Sequence, residues 1–213
     1  MTKQNTLREI EKKAYMSYHQ DGLLDIVIGL YALSFGIGII IDRLWEFGFA
    51  TIMPAIMVSI VLPIWIHAKK KITMPRIGFV KFGARGSNKL FALFLGLSIA
   101  GLGVFVLFGV FMAAGQSGRP FWFEMLFQYG MIWIGLGSAV IGSLFAYTMG
   151  LKRLHGYGWL TFALFASGYF LRIPFEYLLL TIGIVIIASG AALMAQFIRR
   201  YPLPKGAQDN GAQ

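Results

Sequence analysis

Two aspartates lie where the first long apolar segment begins. The run His19-Gln20-Asp21-Gly22-Leu23-Leu24-Asp25 is a dense polar cluster, and Asp25 falls three residues inside the apolar segment. A charged residue at the centre of a membrane span costs about 2.5 to 3.5 kcal/mol, so it marks an ion or proton path or a structural ion pair. Asp21 and Asp25 share a helix face if the helix starts before Asp21. They are the candidate ionisable residues for transport. For Asp25, a cap or a salt bridge to a basic inner loop is the structural alternative.

Histidines are the second set of candidates for chemistry. His19, His67 and His155 all fall on the predicted cytoplasmic side, where with the two aspartates they could ligate a metal. The absence of cysteine excludes thiolate catalysis, cysteine-bound zinc and iron–sulfur clusters. Neither an H-E-x-x-H nor a G-x-S-x-G motif occurs. We therefore predict no catalytic residue and no cofactor, and a metal site is the weakest of the hypotheses.

A basic segment follows the second apolar segment. Residues 69–89 carry seven basic side chains and no acid. The seven are Lys69, Lys70, Lys71, Arg76, Lys81, Arg85 and Lys89. Near a membrane surface each basic residue contributes about 1 kcal/mol of attraction to anionic lipid. The segment is predicted to set orientation and to bind anionic lipid headgroups or an acidic partner, with a turn at residues 75–78 in its middle.

Apolar helices must position these residues, and the composition provides for them. Of 213 residues, 57% are hydrophobic and 13% are charged, which is typical of an integral membrane protein. A helical span needs about 20 apolar residues. The predicted spans are residues 23–41, 47–68, 90–114, 125–149, 157–171 and 177–198. We therefore predict an all-α, polytopic membrane protein with six transmembrane helices arranged as three hairpins.

The distribution of basic residues predicts the orientation of these spans. With six spans, sixteen of the 19 Lys and Arg residues lie on one side of the membrane, and cytoplasmic loops carry such an excess. Both termini are therefore predicted to be cytoplasmic, in a plasma membrane. Residues 1–22 form a cytoplasmic amphipathic arm, predicted as a short interfacial helix, residues 23–198 the six-helix domain and residues 199–213 a cytoplasmic tail. The net charge of +10 is assigned to orientation and lipid contact rather than to nucleic acid.

Three predicted outer turns share one Arg, one or more aromatic residues and one Glu. They are residues 43–47, 119–124 and 172–177. The pattern is interpreted either as a repeat of three tandem hairpins, as in some transporters, or as an aromatic belt in which each Glu neutralises its own Arg. Small residues at four-residue spacing predict close helix packing, within one chain or between copies. These pairs are Ser34/Gly38, Ser138/Gly142 and Ala188/Ala192.

Two stretches of the sequence carry a family resemblance. One is Asp21-Gly22-Leu23-Leu24-Asp25 before a Gly-rich span, and the other is the sequence KITMPRIGFVKF at residues 71–82. Together they resemble small multi-pass membrane proteins of unknown function from bacteria and archaea. The resemblance covers residues 1–85 and implies a multi-pass membrane fold. It implies no activity, cofactor or site residue.

These observations favour a non-catalytic accessory protein of the membrane. Its basic cytoplasmic face is predicted to bind anionic lipids, a partner membrane subunit or a second copy of the chain. The main alternative is a small transporter or channel in which Asp25 is the ionisable group. A metal-dependent membrane enzyme using His19, His67 or His155 ranks third.

Overall fold

The computed structural model describes residues 19–45, 48–77, 95–96, 99, 103 and 121–202. The described residues form helices and no strand, which confirms the all-α prediction for this part of the chain. In chain order, the described helical elements are α1 (Leu23–Trp45), α2 (Phe49–Ala68), a π-helical turn (Lys69–Thr73), α3 (Met74–Ile77), α4 (Phe121–Gln128), α5 (Gly130–Met149), α6 (Lys152–Phe170) and α7 (Phe175–Arg200). The predicted amphipathic arm falls outside the described residues, except for its last four positions.

Three helices in the described part of the chain are long and apolar enough to cross a membrane. They are α1, α5 and α7. A membrane protein is therefore supported, whereas the full set of six spans is not. The predicted span 90–114 lies almost wholly outside the described residues. The predicted span 157–171 corresponds to α6, which begins earlier, at Lys152, and so takes charged residues into its first turn.

The structure differs from two local predictions. The predicted span 125–149 contains α5, which is long and apolar enough to cross a membrane, but its first four residues belong to the separate helix α4, which ends at Gln128. The predicted turn at residues 75–78 is helical as far as Ile77. Pro75 therefore lies within a continuous helical run from Phe49 to Ile77, directly after the π-helical turn, in which the Met74 N–H bonds to the carbonyl oxygen of Lys69.

The chain divides into two compact units. The first unit comprises residues Met1–Lys81 and Phe170–Gln213, and the second comprises Phe82–Tyr169. In the first unit, α1 packs against both α2 and α7. Glycines meet α7 at a spacing of seven residues: Gly22 directly before α1, and Gly29 and Gly36 within it. This seven-residue repeat keeps one face of each antiparallel helix on its partner.

Small residues in both units leave no room for a side chain. A Cβ atom added at Gly29 would lie 2.8 Å from the carbonyl oxygen of Gly183, and one at Gly36 would lie 3.1 Å from that of Glu176. In the second unit, a Cβ atom at Gly158 would lie 2.8 Å from the carbonyl oxygen of Ser138. The Ser138/Gly142 prediction is thus confirmed. Ala188 and Ala192 are exposed on α7, so they do not pack within the chain. Packing between copies at this pair stays a prediction.

Candidate functional site

Asp21 is the centre of a buried polar cluster in the first unit. Its side chain is fully buried, and its Oδ2 atom lies 2.5 Å from Nζ of Lys69. The same oxygen accepts a hydrogen bond of 2.6 Å from the Thr73 hydroxyl. Oδ1 accepts a bond of 3.2 Å from the backbone N–H of Leu23, in the first turn of α1. Asp21 therefore ties the end of α2 to the beginning of α1.

The π-helical turn at residues 69–73 positions the partners of Asp21. Lys69 and Thr73 are the first and last residues of this turn, and both are buried, with 2% and 0% of their surface exposed. Turns of this kind are rare and occur often at functional sites. One helical turn earlier, the Trp65 ring centroid lies 5.8 Å from the Lys69 ammonium group, which suits a cation–π contact. Lys69 thus meets a carboxylate and an aromatic face away from water.

Asp25 and His19 lie beside this cluster in the sequence and are also buried. Asp25 is fully buried in the first turn of α1, and His19 is 8% exposed. The condition that would place Asp21 and Asp25 on one helix face is not met, because α1 begins at Leu23, after Gly22 with a φ of 73°. Both carboxylates instead lie at the N-terminal end of α1, where the helix dipole stabilises negative charge.

The positive φ and the close packing explain the glycine between Asp21 and Leu23. A φ of 73° lies in the left-handed region, which residues with a Cβ atom rarely adopt. A Cβ atom at Gly22 would also lie 3.0 Å from the backbone nitrogen of Met194 in α7. Gly22 therefore lets the chain turn against α7 and keeps Asp21 facing the end of α2.

The basic segment is divided between the interior and the surface. The prediction that Lys69 binds lipid is wrong, because Lys69 is buried against Asp21. Lys70 and Lys71 are exposed on the same turn. Arg76 is half-buried and donates a hydrogen bond of 2.9 Å to the carbonyl oxygen of Ile72. The predicted lipid ligands Lys81, Arg85 and Lys89 lie outside the described residues.

The three histidines have different environments. His19 is buried, and His67 is exposed near the end of α2. His155 belongs to the second unit, where its Nδ1 atom lies 2.8 Å from the hydroxyl of Ser143. Among the described residues, no group of three or more His, Asp or Glu side chains could hold a metal ion. The metal hypothesis therefore gains no support from this part of the chain.

A second ion pair joins α1 to α7 at the opposite end of α1. Nη1 of Arg43 lies 2.6 Å from Oε1 of Glu176, whose side chain is 3% exposed, whereas that of Arg43 is 62% exposed. The prediction that each Glu neutralises the Arg of its own turn is wrong for Glu176. The antiparallel packing of α1 and α7 places the last turn of α1 beside the first turn of α7. Arg172 is exposed and has a φ of 54°.

Sequence reasoning missed Thr73 and the exchange of partners at Glu176. Thr73 stands four residues after Lys69, a spacing that places both on one side of a continuing helix. That spacing is a usable signal only once the helix is known to continue past Ala68.

Comparison with models of protein families, with curated proteins and with solved structures finds no match. The resemblance of residues 1–85 therefore stays a prediction.

Proposed function

We propose that this chain is a non-catalytic, multi-pass membrane protein that acts as an accessory subunit. Its basic cytoplasmic face binds anionic lipid or a partner membrane subunit. The observation that supports this proposal is the buried cluster of Asp21, Lys69 and Thr73. In this cluster, an acid predicted to do chemistry and a base predicted to bind lipid neutralise each other and hold two helices together.

The exposed lysines next to this cluster provide the binding surface. Lys70 and Lys71 lie on the same π-helical turn as Lys69 and point away from the interior, as their exposure indicates. Each contributes about 1 kcal/mol of attraction to an anionic membrane surface. The buried pair of Asp21 and Lys69 holds the turn that carries them, so the buried cluster also positions the exposed basic surface.

The topology belongs to the same proposal. The chain has six spans, and both termini lie in the cytoplasm of a cell bounded by a plasma membrane. In this orientation, Asp21 and the exposed Lys70 and Lys71 lie at the inner end of the first unit. Arg43 and Glu176 then lie at its outer end, among the aromatic residues of an interfacial belt.

Native mass spectrometry of the chain, extracted gently from its own membrane, tests the accessory function. We expect a stoichiometric partner subunit and retained anionic lipid. The double variant Lys70→Gln/Lys71→Gln should lose most of the lipid bound at this face, whereas Arg172→Gln, on the predicted outer side, should lose none. A chain that is recovered alone, without partner or anionic lipid, would contradict the proposal.

A small transporter or channel is the second candidate, because Asp25 is fully buried inside a helix able to span a membrane. An intramembrane carboxylate is often part of a proton or cation path. Flux of protons or cations into liposomes, abolished by Asp25→Asn and kept by Asp42→Asn at the other end of α1, would support this function. Liposomes containing the wild-type chain that show no flux would exclude it for the ions tested.

A further inference from the structure

An open groove runs along the second unit between α5 and α6. It has a volume of about 290 Å³ and is lined almost entirely by apolar atoms. Its lining residues are Leu136, Ala139, Val140, Ser143, Leu144 and Trp159. Several of these large side chains are exposed, with Val140 at 53% and Trp159 at 55%. The groove is therefore open along its side and not a closed cavity.

The groove changes from apolar to polar along its length. On α5, Leu136, Val140 and Ser143 follow at helical spacing, and on α6 Trp159 and His155 are four residues apart. The hydroxyl of Ser143 meets the ring of the exposed His155 at 2.8 Å. The polar pair therefore marks the end of the groove nearest to the turn between α5 and α6.

Positive charge lies next to that polar end. Lys152 is exposed, stands three residues before His155 and so shares its helix face. The first turn of α6 contains no acid, and α5 contains no charged residue. Cations in the first turn of a helix face the positive end of its dipole, so an anion held there offsets an unfavourable interaction.

We propose that this groove binds one anionic phospholipid. An acyl chain lies along Leu136, Val140 and Trp159, and the phosphate meets Lys152 beside the Ser143–His155 pair. A free phosphate would leave the apolar groove unfilled, and a zwitterionic lipid would bring a cation toward Lys152. The site rests on the proposed function, since it requires a membrane protein that binds anionic lipid, and it adds a defined lipid position in the second unit.

The test uses the full chain, stripped of lipid in a neutral detergent, and native mass spectrometry with added lipid. The probes are phosphatidylglycerol and phosphatidylcholine with the same acyl chains, and glycerol phosphate as the soluble headgroup. The double variant Lys152→Gln/His155→Gln removes the polar end, and Val140→Trp fills the groove. Ile141→Trp, at the adjacent exposed position outside the groove lining, controls for bulk. Arg172→Gln, at an exposed position of the first unit, controls for general charge. Lys70→Gln/Lys71→Gln is measured alongside, because it removes the other proposed lipid-binding surface.

We expect one tightly retained phosphatidylglycerol that glycerol phosphate does not displace. Its affinity should fall about fivefold or more in Lys152→Gln/His155→Gln, which corresponds to about 1 kcal/mol. A similar loss is expected in Val140→Trp and none in Ile141→Trp. Equal retention of phosphatidylcholine, or unchanged retention in Val140→Trp, would overturn the site.

The two lipid proposals fail in different ways. Loss of retained lipid in Lys70→Gln/Lys71→Gln alone would refute the groove and support the basic surface of the first unit. Loss in the groove variants alone would support the groove and contradict lipid binding at Lys70 and Lys71. Unchanged retention in every variant would refute both.

Discussion

At the residue scale, the two ion pairs of the first unit differ in burial. Asp21 and Lys69 are both buried, so the loss of either leaves an uncompensated charge away from water. Removing one partner of such a pair typically destabilises a protein by about 3 to 5 kcal/mol. Arg43 is largely exposed, and water screens its attraction to Glu176. The inner pair should therefore matter more for stability than the outer one.

The variant Lys69→Met should lower the free energy of unfolding by about 3 kcal/mol, because it leaves the Asp21 carboxylate buried without its cation. Reversible unfolding in mixed detergent micelles measures this loss. Lys70→Met, at the exposed neighbouring position, should change it by less than about 0.5 kcal/mol. The double variant Asp21→Leu/Lys69→Met should regain most of the loss, since it removes both charges. Equal effects of Lys69→Met and Lys70→Met would contradict the buried pair.

The variant Arg43→Gln should destabilise the chain by about 1 kcal/mol, a value at the upper end for a pair with one exposed member. Arg172→Gln, in the same predicted outer turn as Glu176, should have a smaller effect. The same unfolding measurement ranks the two. A larger loss in Arg172→Gln would restore the interpretation in which Glu176 neutralises the Arg of its own turn.

At the element scale, the packing of α1 on α7 depends on backbone contact at glycines. Lipid tails are as apolar as side chains, so membrane helices associate through close packing rather than through the hydrophobic effect. Gly29 and Gly183 face each other where α1 packs on α7, and neither has room for a Cβ atom. The seven-residue repeat predicts a left-handed crossing of these helices.

The variant Gly29→Ala should destabilise the chain by about 1 to 3 kcal/mol, because its Cβ atom would lie 2.9 Å from the backbone nitrogen of Ile187. Gly137→Ala, in α5, is the matched control, since nothing lies within 4 Å of a Cβ atom there. Its effect should be neutral or stabilising by up to about 1 kcal/mol, as helix propensity dictates. Thermal unfolding of the two variants in detergent measures both effects. A Gly29→Ala variant as stable as the wild type would contradict the close packing of α1 on α7.

At the scale of the whole molecule, the number of spans decides where the termini lie. An even number of spans returns the chain to its starting side, whereas crossing by α1, α5 and α7 alone would separate the termini. The natural absence of cysteine makes the chain suitable for labelling at single introduced positions.

The variants Thr2→Cys and Gln208→Cys should both resist a membrane-impermeant maleimide in intact cells and react after lysis. Ser117→Cys, in the predicted outer connection between the spans 90–114 and 125–149, should react in intact cells. This pattern follows from six spans with both termini in the cytoplasm. Labelling of one terminus but not the other in intact cells would show an odd number of spans and contradict the six-span topology.

Composition and periodicity predicted the helices because these features are local. An apolar run of about 20 residues must bond its own backbone wherever lipid excludes water, so α1, α5 and α7 can be predicted from the sequence alone. The predicted first span and α1 both begin at Leu23, but the left-handed turn at Gly22 was not predicted, because it depends on packing against α7.

The sequence predicted residues that belong to the candidate site, but it did not predict which of them contact each other. Asp21 was predicted as a candidate for transport and Lys69 as a candidate for lipid binding, not as partners in one ion pair. Their contact, like that of Arg43 with Glu176, joins residues far apart in the chain. The amino-acid sequence by itself determined a helical, basic, membrane-type chain, because apolar length and charge act locally. Only the tertiary structure decided which charges meet, because burial and partner choice depend on which helices become neighbours.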